Sequence, residues 1–439
     1  MVFYSLGWRI DWETKKITQP GILYVKAHPK GTYIYINNKL KKKSDFFFGT
    51  TLIKNLPPQK YNVEVKKQGF HTWQKTLEIK ARQATEAKNI ILISENPVLN
   101  SLSKGIEDIF FSPDGKKAVL KEMSGQNWSL KLLDLNRNVK SRLIDEKNVL
   151  TTLDIAKGRK AALINLSFSP DSKRVLLELE VGEKLEYYIL EIDKLIPIFL
   201  DFPNIEKIEF NPRNSNKLLL YKGEELIEAD LDNKTTSPIL EKIASYSILK
   251  NNIYYLDKAG FLFKSDFSFN QRERLNVYPF LLKQEADYKI YASPDNVFLK
   301  ENETLYIFNK EKRAFEKVSE SVKDLKFSPD YKKIAYFNNN EIWILFLEKQ
   351  YSQPQKEKGD KLFLTRFSEK IGRISWYTDH YLIFDIKGKI KVVEIDDRDK
   401  INIVDFAEFK DSEIFWNQIN KKLYVLSDKT LYASEKLVP

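Results

Sequence analysis

Cysteine is absent from the 439 residues, which excludes a disulfide scaffold, a zinc–thiolate centre and a cysteine nucleophile while leaving the compartment open. Histidine is almost as scarce: His28, His71 and His380 are too few for a His-rich metal site, and each reads as a surface or strand residue. No window approaches the roughly eighteen apolar residues of a membrane helix, and no basic segment precedes a short apolar one as in a signal peptide. Catalytic signatures are missing too, with no GxSxG elbow, phosphate-binding loop, dinucleotide fingerprint or HExxH. The acidic run Asp396-Asp397-Arg398-Asp399 lacks the glycine and terminal glutamate of a calcium loop and follows a strand, so it reads as a polar turn. No cofactor and no metal is predicted.

What is present is ample for a packed core, with 42% hydrophobic and 13% aromatic residues, and argues against disorder. The formal charge of +11 is unevenly spread: residues 1–95 hold 17 Lys+Arg against 7 Asp+Glu, and the rest hold 55 against 54. Almost the whole excess is therefore N-terminal. The opening VFYSLGWRIDW sets Tyr4, Trp8 and Trp12 around Arg9, a mixture suited to the point where a membrane helix leaves the bilayer and equally readable as a first strand.

From Gly21 to Ile93 the pattern is strand, turn, strand: ILYVKA and TYIYINN about a PKG turn, a Pro-Pro turn, a strand alternating Tyr61, Val63 and Val65, a turn at Gly69, then WQKTLEI. This predicts a small antiparallel β-sandwich. Pro29-Lys30-Gly31-Thr32, Ile36-Asn37-Asn38, Gly49-Thr50-Thr51, Asn55 to Tyr61, Gly69-Phe70 and Trp73 together resemble the PEGA domain in order and spacing. Three positions depart from that pattern: the tetrad is PKGT, Asn38 replaces the hairpin glycine, and Gln59 follows Pro58 where a glycine is usual, so a different turn type is expected there. The resemblance implies a bacterial or archaeal envelope protein, no catalytic residues, and an anchor lying upstream of residue 1.

Lys39, Lys41, Lys42 and Lys43 crowd one loop beside Phe46-Phe47-Phe48. The ordinary reading is a solvated hairpin backed by core phenylalanines. The functional reading makes these lysines the contact for an anionic partner, a lipid or wall polymer ahead of nucleic acid.

Residues 94–105 read as a linker, after which one phrase recurs: FSPDGKKAVL at 111–120, FSPDSKRVLL at 168–177 and FSPDYKKIAY at 327–336. Proline presets φ for a turn between two strands, so Pro113, Asp114, Pro170, Asp171, Pro294, Asp295, Pro329 and Asp330 are expected to be structural turn residues. Weaker copies align Phe210, Leu249, Tyr291, Trp376 and Trp416 with Phe111, Phe168 and Phe327. Most spacings are near those of four-stranded blades; the two long intervals hold inserts, around 151–161 and at YSQPQKEKGDK, 351–361, the latter read as an exposed loop. The phrase resembles the WD40-like repeat of TolB-type propellers.

The predicted fold is all-β: a lead-in over 1–20, a sandwich over 21–95, and a β-propeller over 105–439 with seven or eight blades, eight favoured. The predicted function is a monomeric, non-enzymatic, membrane-anchored envelope scaffold, extracytoplasmic, whose propeller binds a protein, peptide or glycan. Two alternatives stand beside it: a propeller hydrolase or lyase with channel-facing carboxylates, which an inward acidic cluster at one channel mouth would favour, and a cytoplasmic nucleic-acid scaffold.

Overall fold

The computed structural model describes residues 8–11, 16–125, 127–152, 160–267 and 271–438. Tyr4 and Trp12, and most of the insert expected around 151–161, lie outside the described residues. The insert's first two residues end the α-helix Glu146–Thr152, and Ala161 opens the next strand.

The N-terminal module is two facing sheets. One orders strands Lys39–Lys43, Tyr33–Ile36, Lys60–Lys66 and Trp73–Glu78; the other orders Thr50–Leu56, Gly21–His28 and Ala84–Ile91. Strict alternation drives the pairing, with Leu23, Val25, Ile34, Val63, Val65 and Leu77 at most 1% exposed in one core. The expectation of an antiparallel sandwich needs one correction: Gly21–His28 and Ala84–Ile91 run parallel. The chain crosses between the sheets after Glu78, and so arrives at the free side of Gly21–His28 running in the same direction. The departures from the usual turn chemistry are absorbed locally. Asn37 (φ 47°) and Asn38 (φ 62°) both take the left-handed region that a tight hairpin turn demands, and ahead of the Pro-Pro turn the positive φ falls on Asn55 (φ 60°), at the end of the strand Thr50–Leu56, and not on Gln59.

Ahead of the sandwich, Arg9–Asp11 pairs antiparallel with Lys16–Thr18, and beyond the sandwich the described residues 99–434 hold eight four-stranded antiparallel sheets. Blades 1 to 7 span 106–145, 161–200, 207–240, 243–274, 288–319, 324–366 and 371–408, each in simple sequence order. Blade 8 takes three strands from 413–434 and its outermost one, Leu99–Lys104, from before blade 1. Residues 99–104, read from the sequence as linker, are therefore the strand that closes the ring. Adjacent blades share apolar cores all the way round, and blade 8 joins blade 1 through Leu426 and Leu431 against Ile106, Ala118 and Leu120. This is a β-propeller, in which closure leaves no long sheet edge open.

Phe111, Phe168, Phe210, Leu249, Tyr291, Phe327, Trp376 and Trp416 all stand near the end of the innermost strand of their blades. In the three strong copies the following turn is built identically. Ser112 Oγ donates to Asp114 Oδ1 at 2.6 Å, Asp114 Oδ1 accepts Lys116 N–H at 3.0 Å, and Lys117 N–H donates to Ser112 Oγ at 2.9 Å. Ser169 with Asp171, and Ser328 with Asp330, repeat the arrangement. Pro113, Pro170 and Pro329 lie within these turns. Pro294 and Asp295 depart from them, because that turn is shorter: Ser293 N–H donates to Asn296 O, and Asp295 points outward to Lys310 at 3.9 Å. Asp114, Asp171 and Asp330 close their own turns, and among the described residues no group of three metal-ligating side chains occurs.

Closure predicts that replacing both Leu99 and Leu102 by serine lowers full-chain stability by about 2–3 kcal/mol, the loss of two half-buried leucine contacts. Urea denaturation should show this, together with new proteolysis near residue 99.

Candidate functional site

Two places concentrate polar side chains: the wall of the propeller's central cavity and the seam between the two modules. The cavity measures about 600 Å³ and is lined by the inner strands of blades 1, 6, 7 and 8, including Phe111, Lys326, Arg373, Phe415 and Trp416. Arg373 reaches it from a bulge between Ile371 and Ile374. The bulge is held from behind by Asp385, whose Oδ1 accepts Arg373 N–H at 2.8 Å, and Gly372 is obligatory because a Cβ there would lie 2.1 Å from Asp385 Oδ2. Burial pushes the Asp385 carboxyl above its ordinary value. The Arg373 guanidinium pairs with Glu413 at 2.8 Å and lies 4.2 Å from the centre of the Phe415 ring.

The inner strands carry other carboxylates: on blade 1 Glu107 lies 3.5 Å from Lys429 and Asp108 accepts Ile109 N–H at 2.8 Å, and two more are held by tyrosine–lysine pairs. Tyr291 OH donates to Asp324 Oδ1 at 2.7 Å, with Lys326 3.3 Å from the same carboxylate; Tyr246 OH donates to Glu209 Oε1 at 2.7 Å, with Lys207 at 3.0 Å. These acids are spread over blades 1, 3, 6 and 8, and Glu107, Glu209, Asp324 and Glu413 each lie beside a lysine or arginine. The inward acidic cluster that would favour the hydrolase or lyase alternative is not what they form.

The seam lies at one edge of the sandwich. Strand alternation puts Lys75 at an inward position where an apolar residue is usual, between Trp73 and Leu77. Its Nζ meets Glu394 Oε1 at 2.7 Å, the two side chains being 0% and 3% exposed, and also donates to the carbonyls of Asp396 and Lys400 at 2.8 Å each. Trp73 Nε1–H donates to Glu394 Oε2 at 2.7 Å. Burial holds the Glu394 carboxyl above its ordinary value in spite of Lys75 and Trp73. Around this pair, Thr76 N–H donates to Asp399 Oδ2 at 2.7 Å, Arg398 Nη1 to Glu86 O at 2.7 Å, Ile91 N–H to Tyr381 OH at 3.1 Å, and Glu86 N–H to Gln353 Oε1 at 3.0 Å.

The acidic run 396–399 is thus a docking loop, and the insert 351–361, exposed over most of its length as expected, lends Gln353 and Lys356 as a second arm. Asp397 joins them, its Oδ2 lying 2.5 Å from Lys356 Nζ. Sequence reasoning singled out both segments without their partner. The only hint was the crowding of charge in a turn that needs none.

Lys39, Lys41, Lys42 and Lys43 lie on the strand Lys39–Lys43, exposed throughout, at the opposite edge of the sandwich from the docking strand Trp73–Glu78. The phenylalanines expected behind them are not in the core: Phe46, Phe47 and Phe48 are 80%, 75% and 75% exposed. The turn that displays them is anchored by Asp45, whose carboxylate accepts Phe48 N–H and Thr50 N–H at 2.6 Å each and the Thr50 hydroxyl at 2.5 Å. The Thr50 hydroxyl, then these backbone donors, hold the Asp45 carboxyl down to about 2.

Fold and seam define the class: a β-propeller with a small β-sandwich locked to its rim. Residues 20–91 match the PEGA domain. Similar solved structures include the computationally designed Ika8 protein, at 12% identity and TM-score 0.48 over 76% of this chain and 99% of that one. They also include the β-propeller domain of Cps50 (Swd1) from Myceliophteria thermophila, at 10% identity and TM-score 0.42 over 78% and 98%, and a eukaryotic initiation factor, at 10% and 0.48 over 86% and 99%. No curated protein matches the chain.

Removing one member of the buried pair strands the other, so Lys75→Met or Glu394→Leu should each cost about 3–5 kcal/mol, with the double variant recovering part of it. Urea denaturation measures the loss, and limited proteolysis between residues 94 and 98 reports undocking.

His380, beside the seam, gives a pH signature. Burial, reinforced by Lys333, pushes its imidazole down to about 4 from the usual 6.5. It is neutral in folded and unfolded chains at high pH; as pH falls, the unfolded chain protonates first, so stability is lost between about 6.5 and 4. Relative to His380→Gln, the wild type should lose about 2–3 kcal/mol over that window in urea titrations at stepped pH.

Proposed function

We propose that this chain is a non-enzymatic binding scaffold of the cell envelope, in which a basic PEGA sandwich holds a propeller in one fixed orientation and the propeller receives a protein, peptide or glycan. The observation that carries the reading is the seam. A buried Lys75–Glu394 pair surrounded by satisfied hydrogen bonds makes two modules into one rigid platform, and its geometry spends nothing on chemistry. The PEGA match over residues 20–91 supports an extracytoplasmic position through the resemblance of such domains to envelope proteins.

The central cavity suits an anionic segment of the partner. Lys323, Lys326 and Arg373 stand in it beside Phe111, Phe415 and Trp416, so cations and flat apolar faces are offered together. The acids nearby are already occupied by tyrosines and cations.

Protease applied to intact cells carrying the native gene with its upstream region should remove an epitope on the propeller before lysis. Cross-linking on the same cells should capture a partner that Arg373→Glu, an exposed change, retains at least tenfold less, on the scale of a desolvated ion pair. An epitope that survives until lysis places the propeller inside and ends the envelope reading.

A further inference from the structure

The sandwich has two edges, and they are unlike. Strands Trp73–Glu78 and Ala84–Ile91 form the edge that docks on the propeller; Lys39–Lys43 and Thr50–Leu56 form the other, joined by the turn carrying Phe46, Phe47 and Phe48. In the four-stranded sheet, three spacings of about 4.8 Å separate the two edges.

We propose that this far edge seats on an anionic lipid bilayer, Phe46 to Phe48 entering the boundary between headgroups and acyl chains while Lys41, Lys42 and Lys43 engage the anionic headgroups. The inference deepens the envelope reading by naming what the basic module meets.

Three observations carry it. The phenylalanines are the most exposed large apolar cluster of the sandwich, and water gives no reason to display three in a row. Their display is built in: Asp45 ties the turn to Phe48 and Thr50, while Gly49, at φ +69° and with a Cβ position only 2.4 Å from Ala27 O, packs the turn's base against Gly21–His28 so that it cannot fold inward. The surroundings are basic, with Lys43 over the Tyr33 ring at 5.1 Å, Lys42 Nζ donating to Leu52 O at 3.3 Å, and Tyr33 and Leu52 themselves 40% and 38% exposed. Asp45, the acid in the turn, spends its carboxylate on the turn's own N–H groups. Exposed aromatics beside a strand of exposed lysines match an anionic interface in both apolar depth and charge. A polar wall polymer would satisfy the lysines and leave the apolar tips in water, whereas a single-stranded nucleic acid would stack bases on them and bind equally well without vesicles.

The test is sedimentation of the full chain with vesicles of equimolar phosphatidylglycerol and phosphatidylcholine, compared with phosphatidylcholine alone. The wild type should pellet with the anionic vesicles and weakly with the neutral ones. Phe46→Ser/Phe47→Ser/Phe48→Ser should bind on the order of a hundredfold less tightly, and each of Lys41→Gln, Lys42→Gln and Lys43→Gln about fivefold less, all with unchanged melting curves because the side chains are exposed. Equal binding by the triple serine variant would overturn insertion and leave only surface charge. No binding to anionic vesicles at low salt would overturn the proposal altogether. Retention by a soluble polyanion at the same affinity as by vesicles, indifferent to the phenylalanines, would assign the edge to a polymer instead. Intact-cell proteolysis is independent of these outcomes, so a propeller found inside would end the envelope reading while leaving vesicle binding to stand or fall alone.

Discussion

An open sheet edge is costly and reactive, and the whole molecule is arranged around hiding one. The last blade brings only three strands, and Leu99–Lys104 completes it from more than 300 residues away in sequence, pairing with Thr430–Ser434. That ladder turns a linear array into a ring. It also fixes where the N-terminal module must sit, because the sandwich ends only a few residues before the closing strand and so emerges beside blades 7 and 8.

From that position the sandwich docks through a buried ion pair. Such pairs add little net stability, but they are unforgiving of geometry, since every misaligned arrangement leaves a desolvated charge without a partner. Lys75, Glu394 and the loops around 353 and 396–402 therefore select one orientation. Orientation is what converts an edge strand of lysines and a turn of phenylalanines from scattered surface residues into a surface facing away from the propeller.

The recurring Ser-Pro-Asp turn shows how one local device serves two levels. Within a blade, the serine hydroxyl and the aspartate satisfy the backbone of a tight reversal. Between blades, the same turns touch their neighbours: Asn417 Nδ2 donates to Gly115 O, Arg174 Nη1 to Ser215 O, and Asp330 N–H to Asp379 Oδ1. Ser172 (φ 59°) and Tyr331 (φ 58°) take the left-handed position that Gly115 (φ 63°) holds at ease, a small strain that these contacts offset.

The sequence by itself determined the repeat, the first turn of the three blades that carry FSPD and the alternation of the sandwich, because strand period and turn chemistry are local properties carried by adjacent residues. It also marked the basic N-terminal module, since charge needs no fold to be counted. Tertiary structure alone decided the rest. Leu99–Lys104 lacks a clean alternation and becomes a strand only through its distant partner. Asp396 to Asp399 read as an idle turn until Thr76 and Glu86 were brought against it. Phe46 to Phe48 carry the composition of a core, and only the short span between Lys43 and Thr50, pinned by Asp45 and Gly49, keeps them outside. Burial is a property of where the backbone allows a side chain to go, and apolar composition cannot reveal that path.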